Sequence, residues 1–215
     1  MPVEPPAYPV NLLLRDRPVL VVGGGAVAAS KVDGLLAAGA VVTVVAPHVD
    51  GGLAERPVAV ERRPYERGEV AAYRLAVACT DDPAVNRAVF EDGEAAGVWV
   101  NAADDPAHCS YTLPARLERG RLLVTVSTSG RSPAFTAWLR DQLAEHLGPE
   151  HDALLDLLAA TREDLLAEGR AVPAASWRRA LDSGMLDLIR SGRTAEAKAV
   201  LMRTLRPDEI APDRR

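Results

Sequence analysis

Three consecutive glycines, Gly23-Gly24-Gly25, followed by Ala26-Val27-Ala28, are the densest cue to chemistry in this chain. They satisfy the pattern G-x-G-x-x-A, and each small residue has a physical task in such a loop. Gly23 permits a tight turn, Gly25 leaves the backbone bare where a pyrophosphate would approach, and Ala28 lets a helix pack close to a strand. The preceding Val19-Leu20-Val21-Val22 is wholly apolar, as suits a strand buried on both faces. The following residues, Ala26 to Ala38, read as a helix stopped by Gly39. A helix N-terminus behind a bare glycine turn offers unpaired N–H groups and the positive end of its dipole to phosphates. Gly23, Gly24, Gly25, Ala26 and Val27 are therefore candidate dinucleotide contacts, against the alternative of a purely structural turn. A Walker-type phosphate loop is excluded, because no Gly-Lys-Ser/Thr follows.

Four further places carry polar residues that could do chemistry. The second expected strand, Val41 to Val45, leads into Ala46-Pro47-His48, where the adenosine end of a dinucleotide would lie; Pro47 and His48 are candidate contacts, or simply a surface turn. No acid closes that strand to hold a ribose 2′-hydroxyl, and Asp50 comes a little late. No Arg follows there to receive a 2′-phosphate, which favours NAD over NADP. Asp104 follows the expected strand Val98 to Val100, at the carboxyl edge where ligands bind in doubly wound folds. It is either a proton acceptor or, with Asp105-Pro106, a turn with capping carboxylates. His108 and Cys109 are too few for a permanent metal site, and Cys79, ending an apolar strand, reads as a small core residue. Ser127-Thr128-Ser129-Gly130-Arg131 is a polar loop before Pro133, able to bind a carboxylate or to cap the next helix.

The elements that must position these residues alternate along the first half. Strands are expected at 58–60, 75–78, 98–100 and 122–127, helices at 66–72, 84–96 and 113–120, a pattern that argues for a parallel sheet with crossover helices. From Ala134 the texture turns helical, with helices expected over 134–147, 151–168, 176–191 and 194–205. Leu139, Leu143 and Leu147, four apart, read as core or dimer interface. The division expected is 1–112 for a dinucleotide-binding domain, 113–148 for a dimerisation and substrate-site region, and 149–215 for a helical C-terminal domain. The 215 residues are 48% hydrophobic but only 4% aromatic, so Val, Leu and Ala must build the core. A net charge of −5 gives no reason to expect nucleic acid. Two cysteines make no disulfide framework, and neither a signal peptide nor a membrane span is legible. A soluble, cytoplasmic protein is the expectation.

Several motifs occur together in order: Tyr8-Pro9-Val10-Asn11-Leu12, the glycine loop, Lys31, Thr80-Asp81-Asp82 with Asn86, Asn101-Ala102-Ala103-Asp104, and Val126 to Pro133. In this order the chain resembles the precorrin-2 dehydrogenase family, which includes the N-terminal module of sirohaem synthase. The likeness runs from Tyr8 to Leu147 and continues weakly around Trp177-Arg178-Arg179. It implies a Rossmann-like α/β domain with a doubly wound parallel sheet, then a dimerisation segment and a helical C-terminal domain, assembled as a homodimer. It implies NAD-dependent oxidation of the tetrapyrrole precorrin-2 to sirohydrochlorin, with ferrous or cobaltous chelation in some members. It also implies Thr80 and Asn101 as cofactor contacts, Asp104 as the essential acid, and the 127–131 loop against the substrate. Ser30 stands where the family often has Arg, and Thr128 where one branch has a modified Ser. Two other readings stay open: an NAD-sensing regulator without catalysis whose helical tail binds a partner, and a chelatase with a vestigial dinucleotide site.

Overall fold

Every side chain of Val19-Leu20-Val21-Val22 is buried, which a strand achieves only when both faces of its sheet are covered. The computed structural model describes residues 7–103 and 105–206. In it, this run is the central strand β1 (Pro18–Val22) of a parallel five-stranded sheet. The other strands are β2 (Val41–Val45), β3 (Ala59–Glu61), β4 (Leu75–Ala78) and β5 (Trp99–Ala102), in the order β3-β2-β1-β4-β5. Parallel neighbours need crossovers. Helix α1 (Ala26–Ala37) links β1 to β2, and α3 (Pro83–Ala96) links β4 to β5. A one-turn helix, α2 (Gly51–Ala54), lies between β2 and β3. The helix expected over 66–72 shrinks to a 3-10 turn, Glu69–Ala72, because Gly68 at φ 83° breaks the chain just before it. The chain thus winds outward from β1 to β3, then returns to lay β4 on the other side of β1. This is the Rossmann-like order, and its reversal opens a crevice at the carboxyl ends of β1 and β4.

Period-two alternation divides the sheet's apolar residues between two cores. Val19, Val21, Val42, Val44, Leu75 and Val77 pack with Ala28, Val32 and Leu35 of α1. Leu20, Val22, Val45, Ala76, Ala78 and Val100 pack on the opposite face with Val89 of α3.

The described chain divides into two units. One holds the described residues up to Leu113 together with Thr128–Ser132; the other holds Pro114–Ser127 and the residues from Pro133 onward. The boundary expected at 148–149 falls inside the second unit. That unit contains an antiparallel hairpin of β6 (Ala115–Arg119) and β7 (Leu122–Val126), and not the helix expected over 113–120. Arg-Leu-Glu-Arg suits a helix by propensity, but Arg119 pairs with Leu122 across a two-residue turn, with Gly120 at φ 53°. A side chain at Gly120 would also strike the Asp152 carboxylate, which accepts the Arg121 N–H at 2.9 Å. Among the described residues, five helices follow in this unit: α4 (Pro133–His146), α5 (Pro149–Ala167), α6 (Ala174–Leu181), α7 (Met185–Arg190) and α8 (Thr194–Leu205). The single helix expected over 176–191 is two, because Gly184 at φ 81° cannot continue it. Leu154, Leu165, Met185, Ile189 and Leu201 form the core of these helices.

Candidate functional site

The glycine loop leaves β1 at the crevice, and its three glycines meet three different environments. Gly23 lies at φ 130°, where a Cβ would come within 2.6 Å of the Cys79 carbonyl oxygen. Its N–H donates to the Val45 carbonyl at 3.0 Å, so the loop is tied to the end of β2. A Cβ on Gly24 would overlap the His48 carbonyl oxygen, because the 48–50 turn folds directly over it; the Asp50 N–H donates to the Gly24 carbonyl at 2.9 Å. Gly25 differs, since a Cβ there would meet nothing within 4 Å. The bare, open side of the loop is thus at the N-cap of α1. No side chain caps that helix, and its first intrahelical bond is Ala29 N–H to Gly25 O. The N–H groups of Ala26, Val27 and Ala28 precede that bond and are the orphan donors of a helix start. A closed turn, an open Gly25 and an uncapped helix end together fit the pyrophosphate of a dinucleotide.

The turn after β4 frames the other side of the crevice. Buried Asn86, on α3, clasps Thr80: its amide oxygen accepts the Thr80 N–H at 3.0 Å, and its amide nitrogen donates to the Thr80 carbonyl at 3.0 Å. The Thr80 hydroxyl also lies 2.8 Å from the Asn86 amide oxygen. Asp82 caps α3 by accepting the Ala84 N–H at 2.8 Å. Cys79, just before this turn, has its thiol pushed up to about 11 by burial, while the charge of Lys31 acts the other way. Asn86 is the positioning residue that sequence reasoning left out of the site; its presence in the Thr80-Asp81-Asp82 motif was the signal.

After β5 the chain doubles back on itself. Asn101 bridges Cys109 in antiparallel fashion, and its amide nitrogen donates to the Tyr111 carbonyl at 3.0 Å. Asn101 therefore holds the returning chain, whatever it offers to a cofactor. Asp104, the expected acid, lies outside the described residues. Its neighbour Asp105 turns its carboxylate to His108 Nδ1 at 2.7 Å, and the His108 ring stands edge-on to Phe90 at 5.3 Å. Burial pushes the Cys109 thiol up, and the same cause raises the Tyr111 phenol. Among the described residues, no group of three His, Cys, Asp or Glu could hold a metal ion.

Pro47 and His48 are exposed at the end of β2, as a contact to adenosine requires. What sequence order hides is the cation beside them. Strand β3 pairs with β2, Val45 opposite Glu61, and the Ala46 N–H donates to Glu61 O at 3.1 Å. Arg62 therefore follows directly alongside Ala46-Pro47, and its guanidinium reaches the Val49 carbonyl at 3.5 Å. Strand pairing, and not chain order, brings this Arg beside the end of β2.

The loop from Thr128 to Ser132 is a tight turn. Arg131 N–H donates to Thr128 O at 3.1 Å, and Ser132 N–H to the Thr128 hydroxyl at 3.1 Å. Ser129 and Gly130 both have left-handed backbones, φ 52° and 76°. A serine held in that region stores strain, which tends to persist where a loop has a task. Ser127 is exposed and belongs to the second unit. Of the nearby arginines, Arg116, Arg121 and Arg140 are ion-paired, to Glu118, Asp156 and Asp141, and Arg119 donates to the Leu147 carbonyl. Arg131 is exposed and has no ion pair among the described residues.

The chain is similar to known proteins in sequence and in fold. Residues 10–115 match a family model for NAD(P)-binding segments, and residues 119–146 match one described as sirohaem biosynthesis protein central. The chain is 36% identical over 201 residues to a siroheme synthase of Methylococcus capsulatus, covering 90% of this chain and 42% of that protein. It is 34% identical over 215 residues to a siroheme synthase of Nitrosospira multiformis, covering 95% and 45%. The chain thus spans less than half the length of these relatives. A solved structure, SirC, precorrin-2 dehydrogenase, superposes with a TM-score of 0.70 at 28% identity, covering 92% of this chain and 100% of that one.

Proposed function

We propose that this chain, which is similar to siroheme synthases and to SirC, precorrin-2 dehydrogenase, belongs with them and oxidises precorrin-2 to sirohydrochlorin with NAD. The observation that carries this reading is the open Gly25 at the uncapped start of α1, in a chain whose likeness extends over the whole of SirC. When bound, the nicotinamide accepts a hydride. The residues of the chain do the rest. Gly23 to Val27 hold the pyrophosphate, with Gly23 and Gly24 too crowded for side chains to be anything but glycine. Pro47 and His48 line the adenosine end, and Thr80, fixed by Asn86, and Asn101 border the nicotinamide half. Asp104 accepts the proton that leaves precorrin-2 with the hydride. Ser127, Thr128, Ser129, Gly130 and Arg131 bind substrate carboxylates, with Arg131 as their charge partner.

In this reading residues 1–112 bind the dinucleotide, 113–148 serve dimerisation and the substrate, and 149–215 form the helical remainder. The protein acts as a cytoplasmic homodimer. The exposed Phe135 and Trp138, with rings 5.6 Å apart on α4, support a pairing surface in the middle segment. No helix among the described residues is long and apolar enough to cross a membrane.

The test separates binding from chemistry. Asp104→Ala is expected to bind NADH as the parent does while losing precorrin-2 oxidation by about 100-fold or more, within the usual range for removing a proton acceptor. Oxidation at the parental rate in that variant would remove Asp104 from the mechanism. Adding ferrous or cobaltous ion to the product tests chelation, because sirohydrochlorin that persists has not been metallated.

A further inference from the structure

We propose that Arg62 is a 2′-phosphate receptor, so that the site accepts NADP as well as NAD. This rests on the dinucleotide reading above and deepens it. In doubly wound folds the adenosine ribose sits over the end of the second strand, and the group found there decides between a hydroxyl and a phosphate. An acid that would repel a phosphate is missing from the end of β2, which runs Val45-Ala46-Pro47. The strand next to it delivers a guanidinium instead. Arg62 follows β3 immediately, and its Nη1 stands 3.5 Å from the Val49 carbonyl, inside the turn that folds over Gly24.

The ion pairs of the neighbouring arginines make Arg62 distinctive. Arg56 is held by Asp33, with an Nη2 to Oδ2 distance of 2.9 Å. Arg63 is clamped between Glu61 and Glu69, and Arg67 binds Asp92. Arg62 is exposed and has no carboxylate partner among the described residues; its single described bond is to a neutral carbonyl. The other charged groups at this turn are Asp50, which begins α2, and Glu61, which is occupied by Arg63. Asp50 can accept the 2′-hydroxyl of NAD, while Arg62 can take the 2′-phosphate of NADP with two parallel N–H donors. The two cofactors would then share one pyrophosphate cradle and differ in which side chain meets the ribose.

Binding, not turnover, tests this. The full chain is titrated with NADH and with NADPH, following nicotinamide fluorescence, and the titration is repeated with Arg62→Ala and Arg62→Lys. Adenosine 2′,5′-bisphosphate and 5′-AMP, which differ only in the 2′-phosphate, serve as competitors. The expected result is that both dinucleotides bind, and that Arg62→Ala raises the Kd for NADPH about tenfold more than that for NADH, a difference of about 1.4 kcal/mol. Arg62→Lys restores part of that ratio, and added salt narrows it. If NADH binds and NADPH does not, or if Arg62→Ala leaves the ratio unchanged, this inference is overturned while the dinucleotide reading stands. If neither binds, both fall together.

Discussion

Substituting Gly25 by alanine separates the fold of the glycine loop from its task. The added methyl group would meet nothing within 4 Å, and Gly25 already has extended backbone angles, φ −93° and ψ −166°, that alanine adopts freely. The fold should therefore tolerate it, with a cost of about 1 kcal/mol or less from placing alanine at an N-cap. A pyrophosphate resting on the open side of the loop should not tolerate it. Displacing the phosphates from one N–H of the α1 start removes a hydrogen bond to a charged group, about 1.5–3 kcal/mol. At about 1.4 kcal/mol per decade, that is roughly a 10- to 150-fold rise in the Kd for NADH. Gly24→Ala provides the contrast, because its methyl would overlap the His48 carbonyl and force the 48–50 turn away; it should lower the melting temperature as well as binding. The assay is NADH fluorescence titration beside thermal unfolding for both variants. A Gly25→Ala protein that is stable and binds NADH as tightly as the parent would refute the placement of the pyrophosphate on this loop.

Two other predictions concern the frame of the site. Asn86→Ala leaves both backbone polar groups of Thr80 without their amide partner, and should cost about 1–3 kcal/mol in denaturant unfolding; a change within error would mean that water replaces the clasp fully. Burial raises the Cys79 thiol from 9.0 to about 11, so the folded state holds this proton more tightly than the unfolded state. Its contribution is fully present below pH 9 and is lost as pH rises through about 11. Subtracting the unfolding curves of Cys79→Ala from those of the parent should show that loss, and iodoacetamide should label Cys79 slowly below pH 9. Rapid labelling of the native protein there would contradict the burial.

The parts of the fold legible in the sequence are those fixed by local pattern. A four-residue apolar run next to small residues has one good solution, a strand buried on both faces that opens into a helix, and β1 with α1 adopts it. Where propensity and pairing disagree, the sequence misleads. Ala115 to Arg119 has helix-forming residues but is a strand, because β7 across a two-residue turn satisfies its backbone. Gly184 reads as a tolerable interruption in an amphipathic stretch, yet its left-handed backbone ends one helix and begins another. The same division holds at the site. Gly23 to Val27 are contiguous, so the shared role proposed for them can be read from order alone. Arg62 lies sixteen positions after Ala46 and becomes its neighbour only through the pairing of β2 with β3, a register that no local pattern sets. Asn86 is six residues from Thr80, and its part in holding that turn depends on α3 folding back over the end of β4.

The central claim, that this chain transfers a hydride from precorrin-2 to a nicotinamide held on the glycine loop, is tested most directly by mixing the purified chain with NAD and precorrin-2. The absorbance of NADH and that of sirohydrochlorin are then followed together. The account predicts that both rise in step, one NADH for each sirohydrochlorin, and that neither appears when the tetrapyrrole is left out. NADH binding without any turnover of precorrin-2 would contradict it, and would return the chain to the reading of a dinucleotide sensor.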